Sequence, residues 1–589
     1  MPPKRAAAAA APKAAATKKA ATATKKITAT KQTTATKKTA AATKTSVTKK
    51  TTAAAAAAAA AKKTTTAKKA ATTKKATVKK ADSDKENHAD NEDEDIKPKA
   101  NTKRKRAAEA EDTAVEEEAR PKKQPRTIKK AAPRLIPKRK ILKKINSAPE
   151  TVLDVFVFGE GSAGELGLGN MKVDGKKPID VKRPRLNPNL SSANVVQISC
   201  GGMHAIALTK DNKILTWGVN DQGSLGRDTM WEGGLRDVDA EDSDSDDDDD
   251  DSGLNPKEST PAEVDMSGVE EDTKFVQVVA SDSASFALTE EGKVYGWGTF
   301  RANDGILGFS EEIDVQRTPM LLPELKGITQ LAAGANHILA LDTKGKVQAW
   351  GSGQQSQLAR RIFEGHMKTS LRPAGIGNLP IRGAKAVKIA AGSYHSFVID
   401  DKGRVFSWGL NSFGETGIPD NAGEDAAVTQ RPTFVESLGD YKIQDIAGGG
   451  HHSLACTEDG KLLTWGRIDG HQVGLPMSTF NEDNAEFDEH GRARILLKPT
   501  VVEKVQDAVS VESGTDNCFA ITSDGKAYSW GFSANYQTGL GTDDDVEEPT
   551  LIDNTAVRDK KIIWAGAGGQ YSILASAQRE DADVTMEEA

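Results

Sequence analysis

The sequence predicts an all-β fold: a seven-bladed β-propeller closed by its own N-terminal strand. Two recurring signals, and the offset between them, predict it. Trp-Gly dipeptides occur at Trp217, Trp297, Trp350, Trp408, Trp465 and Trp530, with a Phe-Gly variant at Phe158, and successive signals lie 53 to 80 residues apart. A Gly-x-x-His turn leading into an apolar strand recurs between them, as GGMHAIAL at 201–208, GANHILAL at 334–341, GSYHSFVI at 392–399 and GGHHSLAC at 449–456. A repeat of this length marks stacked units that cannot bury their faces alone. Each signal occurs seven times once the degenerate turns near 281, 514 and 568 are counted. The first Trp/Phe-Gly strand (VFVFGEG) has no turn before it, and the last turn (GGQYSILAS) has no Trp-Gly strand after it. These orphans complement each other, so residues 153–160 are expected to pair with residues 562–575 and close the ring. Closure removes sheet edges that would invite aggregation.

Each unit reads as a four-stranded blade. In 385–419, AVKIAAG, SFVID and RVFSWG are successive strands, the last two joined by an Asp-Lys-Gly turn. Equivalent turns fall at 211–213, 291–292, 343–345, 401–403, 458–460 and 523–525, and most end in Gly, a hairpin signal. Segments after the dipeptide, such as VNDQGSLG and LNSFGETG, hold further glycines suited to tight turns toward the next blade. WD40 propellers carry Trp-Asp at a shorter period of about 40–45 residues, which sets this repeat apart from theirs.

Charge divides the chain. Residues 1–150 hold 40 Lys+Arg against 15 Asp+Glu, a net of +25, and residues 151–589 hold 40 against 70, a net of −30. The first 80 residues carry 21 basic groups and no acid, set in Ala and Thr with nine consecutive Ala at 53–61. Such composition cannot build a core, so a disordered basic arm is expected over 1–150, the propeller over 151–577, and an acidic disordered tail over 578–589. An acidic run from Glu241 to Asp251, pure Asp and Ser after its leading Glu, predicts an exposed, disordered insert at about 236–258, read as a tolerated loop rather than a histone contact. Cys200, Cys456 and Cys518 lack pairing or metal-ligand spacing, which fits a reducing compartment and no metal site. No stretch reads as a membrane span or a secretory signal.

Evenly spread Lys-Lys pairs without aromatics, including Lys18, Lys19, Lys25 and Lys26, can neutralise phosphates but cannot read bases. The arm therefore reads as a sequence-nonspecific DNA tether. Short basic clusters at Lys103, Arg104, Lys105 and Arg106, at 122–126, and at Lys138, Arg139 and Lys140 read as nuclear localisation signals recognised by an importin.

The repeat resembles that of the regulator of chromosome condensation family, the exchange factors for the small GTPase Ran. GGMHAIAL…WGVNDQGSLGRDT (201–229), FGEGSAGELGLG (158–169), WGTFRANDGILG (297–308) and GGGHHSLAC (448–456) carry the resemblance, which covers about 150–577. It implies a chromatin-bound nuclear monomer that works without cofactor or bond chemistry. One propeller face would dock on Ran and press a short wedge against its phosphate-binding loop, so that nucleotide leaves. Contacts with the nucleosome, through its histones and DNA, would tether it.

The resemblance also implies site residues. His451 is the surplus histidine beside the repeated His452 in GGGHH and matches a histidine the family uses for exchange. Asn336 stands at a family acidic position. A second family acidic position falls at Ala302, with Asp304 two residues on. Arg360 matches a family basic residue, and a loop over 360–377 containing Arg360 and Arg361 is implied to grip the nucleosome. The wedge is expected within 309–322, where Glu311, Glu312 and Asp314 could compete for a GTPase lysine or Mg²⁺. His204 and Asp516 join the set as members of the ring of turns, although a histidine repeated across blades reads first as structural. The rival classes are an enzyme with an active site in the channel, for which no motif is present, and a propeller scaffold that binds chromatin without exchange activity.

Overall fold

The computed structural model describes residues 143–173, 175–232, 252–377, 379 and 383–578. Among the described residues, seven antiparallel blade sheets make up the ring, with a separate two-stranded hairpin outside them. Blade 1 runs Val195–Cys200, His204–Thr209, Ile214–Gly218 and Ala262–Glu263, and blade 2 runs Phe275–Ala280, Ala284–Thr289, Val294–Gly298 and Gln316–Leu321. Blade 3 (Ile328–Ala333 to Ala374–Gly375), blade 4 (Ala386–Ala391 to Val428–Phe434) and blade 6 (Ala508–Ser513 to Val546–Leu551) repeat the pattern, and blade 5 (Ile443–Gly448 to Ala493–Val501) adds a fifth strand, Ala485–Phe487. Blade 7 joins the chain ends: Leu153–Gly159 pairs with Tyr571–Ala577 in continuous register from Leu153↔Ala577 to Gly159↔Tyr571. Ile562–Ala567 and Val181–Leu186 flank that pair, so the closure expected from the two orphans is the one formed. The described part has no helix long and apolar enough to cross a membrane.

Both sequence signals have steric causes. The repeated histidine ring lies over the first glycine of its turn: a Cβ on Gly334, Gly392 or Gly449 would sit 2.2 Å from the Cε1 of His337, His395 or His452. The glycine of Trp-Gly pairs directly opposite that histidine, as in His395↔Gly409. Gly409 has φ +113°, and a Cβ there would meet the Tyr394 carbonyl at 2.4 Å, a conformation and a space that only glycine fits.

Together the signals build a latch between blades. His337 Nε2 meets Ser396 Oγ of the next blade at 2.8 Å, that hydroxyl donates to the Gln357 carbonyl, and Trp408 Nε1 donates to the same carbonyl at 2.8 Å. His395, Ser453, the Glu415 carbonyl and Trp465 repeat the arrangement, as do His204, Ser285, the Ser224 carbonyl and Trp297. His452 uses Cys518 and Ser513 instead. At the closure, the Tyr571 hydroxyl donates to the His204 carbonyl at 2.6 Å. All four histidines are buried, which pushes their imidazoles down to about 4 for His204 and His452 and about 3 for His337 and His395. They are neutral linkers.

A second ring of bonds lines the axis. Gln197, Gln277 and Gln330 on the innermost strands each accept from a backbone amide of the following blade (Val278, Leu331, Ile389). Lys388 and Asp445 continue the ring as a 2.6 Å ion pair.

The last residues of the expected arm are part of the body. Ile145 N donates to the Glu290 carbonyl at 2.8 Å, and Asn146 Nδ2 donates to the carbonyls of Thr289 (3.0 Å) and Ile328 (2.9 Å). Lys144 pairs with Glu290 at 2.7 Å. The chain thus enters the propeller pinned across blades 2 and 3, on the face that carries the turns between second and third strands. The expected insert is also shorter than read: Pro256–Ser259 is a helical turn capped by Asn255, whose amide donates to the Thr229 carbonyl.

Candidate functional site

Antiparallel pairing places the Gly-x-x-His turns and the loops between third and fourth strands on one face, opposite the pinned segment. Side-chain bonds between these two loop sets build the surface there. His451, from the turn of blade 5, meets Glu415 Oε1 of the blade 4 loop at 2.9 Å, and its ring lies 4.9 Å from that of Phe413. Glu415 is itself fully buried, its other oxygen accepts from Phe413 N, and its carbonyl is the latch acceptor for Ser453 and Trp465. The guanidinium groups of Arg467 and Arg494 lie over the Phe413 ring at 5.2 and 5.6 Å. His451 is therefore a half-buried side chain locked from behind, with its remaining edge toward solvent. Asp516 is placed alike one blade on, where its carboxylate accepts from Gln472 Nε2 at 2.9 Å.

The second feature is a two-stranded hairpin outside the blade sheets, Phe300–Ala302 with Gly305–Gly308. Its tip, Asn303 and Asp304, is exposed, and Ile306 is 52% exposed. Its root is buried: Phe300 stacks on Phe286 at 5.9 Å, Phe286 stacks on Phe309 at 6.3 Å and meets Trp350 edge-on at 5.7 Å. The window expected to hold the hairpin, 309–322, is different: Phe309 is core, 310–315 is a turn, and Gln316–Leu321 is the outer strand of blade 2. The reason is local. Gly305, at φ +125°, permits the reversal at the tip, whereas 316–321 pairs with the Trp297 strand.

The structure sorts the remaining expected residues. Asp304 is at the hairpin tip, and Asn336 accepts from the backbone N of Arg301 in the same hairpin at 2.8 Å. Glu311 and Glu312 are exposed on the turn beside it, and Asp314 pairs with Lys368 at 2.7 Å. Arg360 is turned inward, donating to the carbonyls of Ser370 and Arg372 at 2.9 and 3.0 Å, so it braces its own loop. Arg361 stacks over Phe363 at 4.9 Å and lines a groove of about 710 Å³ with Asn303, Gln354 and Arg431. His204 is 1% exposed and belongs to the latch, which removes it from any docking surface. Lys18, Lys19, Lys25, Lys26, Lys103, Arg104, Lys105, Arg106, Lys138, Arg139 and Lys140 lie outside the described residues.

Three residues escaped the sequence reading. Glu415 supports His451, and its signal was present as the recurring acid or amide of GELG, GETG and YQTG, where Glu165, Glu415 and Gln537 each accept from the amide two residues back. Gln354 accepts from Asn303 N at 2.8 Å. Asp282 lies in the degenerate turn near 281, and its carboxyl is raised by desolvation and drawn back by Arg301 of the hairpin; the turn was legible, but the side chain's partner was not. Among the described residues no cluster of three or more His, Cys, Asp and Glu is placed to hold a metal.

The fold and this face define a class: a propeller whose recurring turns and third-to-fourth-strand loops share one face, beside which a separate two-stranded hairpin stands. Residues 154–574 match the RCC1-like domain, and the chain belongs to that family. The Saccharomyces cerevisiae guanine nucleotide exchange factor SRM1 is 42% identical over 441 residues, covering 73% of this chain and 89% of that protein. A crystal structure of S. cerevisiae Prp20p, described with its binding to Gsp1p and histones, aligns with TM-score 0.65 and 39% identity over 74% of this chain and 96% of that one. Yeast RCC1 (Prp20) bound to Kap60 aligns with TM-score 0.65 and 38% identity, covering 77% and 97%.

Proposed function

We propose that this chain is a guanine-nucleotide exchange factor for the small GTPase Ran, held at chromatin in the nucleus. The carrying observation is the pairing of a locked histidine, His451 on Glu415, with a projecting hairpin at 300–308 on one face of a propeller 42% identical to SRM1. The hairpin takes the place of the wedge. Docking through His451, Asp516 and Asp304 would press it against the GTPase phosphate loop, so nucleotide and its Mg²⁺ lose their contacts and leave. No bond is made or broken. The coupling is reciprocal: the exchanger weakens nucleotide binding by the factor by which nucleotide weakens the exchanger's own. It sets no direction, and the GTP excess of the cell makes Ran-GTP the product.

The basic arm is the proposed tether to DNA and to the histones of the nucleosome, with Arg361 as a surface contact, and its clusters are the proposed importin sites, in keeping with the Kap60 complex of the yeast relative. The protein acts as a monomer, without cofactor. Asn146, just after the arm, is fastened on the face opposite the one that carries His451. The decisive experiment is release of labelled GDP from purified Ran. Catalytic amounts of the chain accelerate release, and His451→Ala slows it about ten- to hundredfold, as loss of one hydrogen bond to a charged group does. No acceleration at any concentration would leave only the chromatin-binding scaffold.

A further inference from the structure

An isolated two-stranded hairpin is marginally stable in water, yet a wedge must resist the surface it presses. The 300–308 hairpin is too short to supply that stiffness itself: it has three paired positions, with an irregularity between Phe300 and Arg301. Its buried root holds one end only. Beyond the root, two side chains reach it from the next blade. Asn336 Oδ1 accepts from Arg301 N, and Gln354 Oε1 accepts from Asn303 N, each at 2.8 Å. Asn336 sits in the turn before His337, and Gln354 in the loop after Gly351, so two separate loops of blade 3 hold a hairpin that belongs to blade 2.

We infer that Asn336 and Gln354 are positioning residues, a pair of neutral oxygen clamps that set the angle of the hairpin. The inference deepens the exchange reading and rests on it. It explains why an amide suffices at position 336. The bond to Arg301 N needs an acceptor oxygen, which Asn and Asp both offer, and it needs no charge. Neither clamp has to touch the GTPase. Their effect passes through the hairpin, so it falls on the step in which nucleotide is expelled rather than on docking.

The test compares the full chain with Asn336→Ala, Gln354→Ala, the double Ala variant and Asn336→Asp. Exchange is measured over a range of Ran-GDP concentrations, and hydrogen exchange is followed at amides 301–305. The expected result is a kcat lowered about five- to tenfold by each Ala, the size of one lost hydrogen bond, with KM within about twofold. The double variant falls further, amides 301–305 exchange faster, and Asn336→Asp restores both readouts. A raised KM with unchanged kcat for Asn336→Ala would overturn the clamp in favour of direct GTPase contact. So would failure of Asn336→Asp, since the side-chain N–H would then be the essential group. Unchanged hydrogen exchange at 301–305 would overturn it independently of any GTPase. An unmutated chain that releases no nucleotide would instead sink the exchange reading, leaving the hydrogen-exchange arm to judge the clamp.

Discussion

The interface between blades 3 and 4 and the interface between blades 2 and 3 are built from opposite materials. At the first, His337, Ser396, the Gln357 carbonyl and Trp408 form a buried polar latch. At the second, the histidine position is Ala284 and the serine position is Ile338, and the space is filled by Phe286, Phe300, Phe309 and Trp350. The apolar interface is the one from which the hairpin projects. The contrast teaches that the repeated histidine is scaffold, and that a break in the repeat is where a surface device can be rooted. A polar latch has one satisfied geometry, whereas an aromatic cluster offers area on which an extra strand pair can be seated.

Acid should separate the two interfaces most. The four latch histidines are held neutral in the fold, down to about 4 or about 3 against an ordinary 6.5. Their unfolded forms take up protons below that ordinary value, so their contribution is complete above pH 6.5 and is lost as pH falls toward 4. Glu165 and Glu512 act the other way: burial raises them to about 7 and about 8, so acid favours their folded forms. Asp282 and Glu258, also raised by desolvation, act with them and offset part of the loss, but the four imidazoles are the groups that must gain protons on unfolding between pH 6.5 and 4, and the latched interfaces weaken as pH falls through that window. Denaturant midpoints measured from pH 7 to 4.5 test this, and acid-induced hydrogen exchange should rise at the latched interfaces before the blade 2–3 interface.

Phe300→Ala should cost about 3–5 kcal/mol, as large aromatic truncations in cores do, and should slow nucleotide release with it. His395→Ala should cost less, about 2–3 kcal/mol from packing and a latch bond, while protein that remains folded exchanges nucleotide within about twofold of the unmutated chain. If the two variants lowered exchange equally at matched folded fraction, the division into scaffold and device would fail. The smallest effect belongs to Lys368→Ala, which breaks an exposed pair with Asp314; unfolding should change by no more than about 0.5 kcal/mol. Replacing Glu311 and Glu312 by Ala should leave exchange nearly unchanged, and a loss as large as that of Phe300→Ala would return the wedge to 309–322.

The face was partly legible before any coordinates. His451 stood out because the repeat had already accounted for His452, and Asp304 and Asn336 were found by position. Their partners were not legible. Glu415 and Gln354 act on residues 36 and 51 positions away in sequence, and such separations are set by how blades stack. Arg360 was expected on the surface because it matches a family basic residue, but two carbonyls of its own loop claim the guanidinium.

By itself the sequence determined the number of blades, the pairing of chain start with chain end, and the identity of the repeated positions. Those follow from local rules: strand alternation, and glycine wherever a Cβ would strike a ring or a carbonyl. Tertiary structure alone decided that the repeated histidine bonds to the next blade, that the hairpin is 300–308, and that residues 144–146 are fastened to blades 2 and 3. Each of these depends on which surfaces meet when the ring closes, and a hydrogen-bond partner brought from a neighbouring blade leaves no mark in the local pattern of the chain.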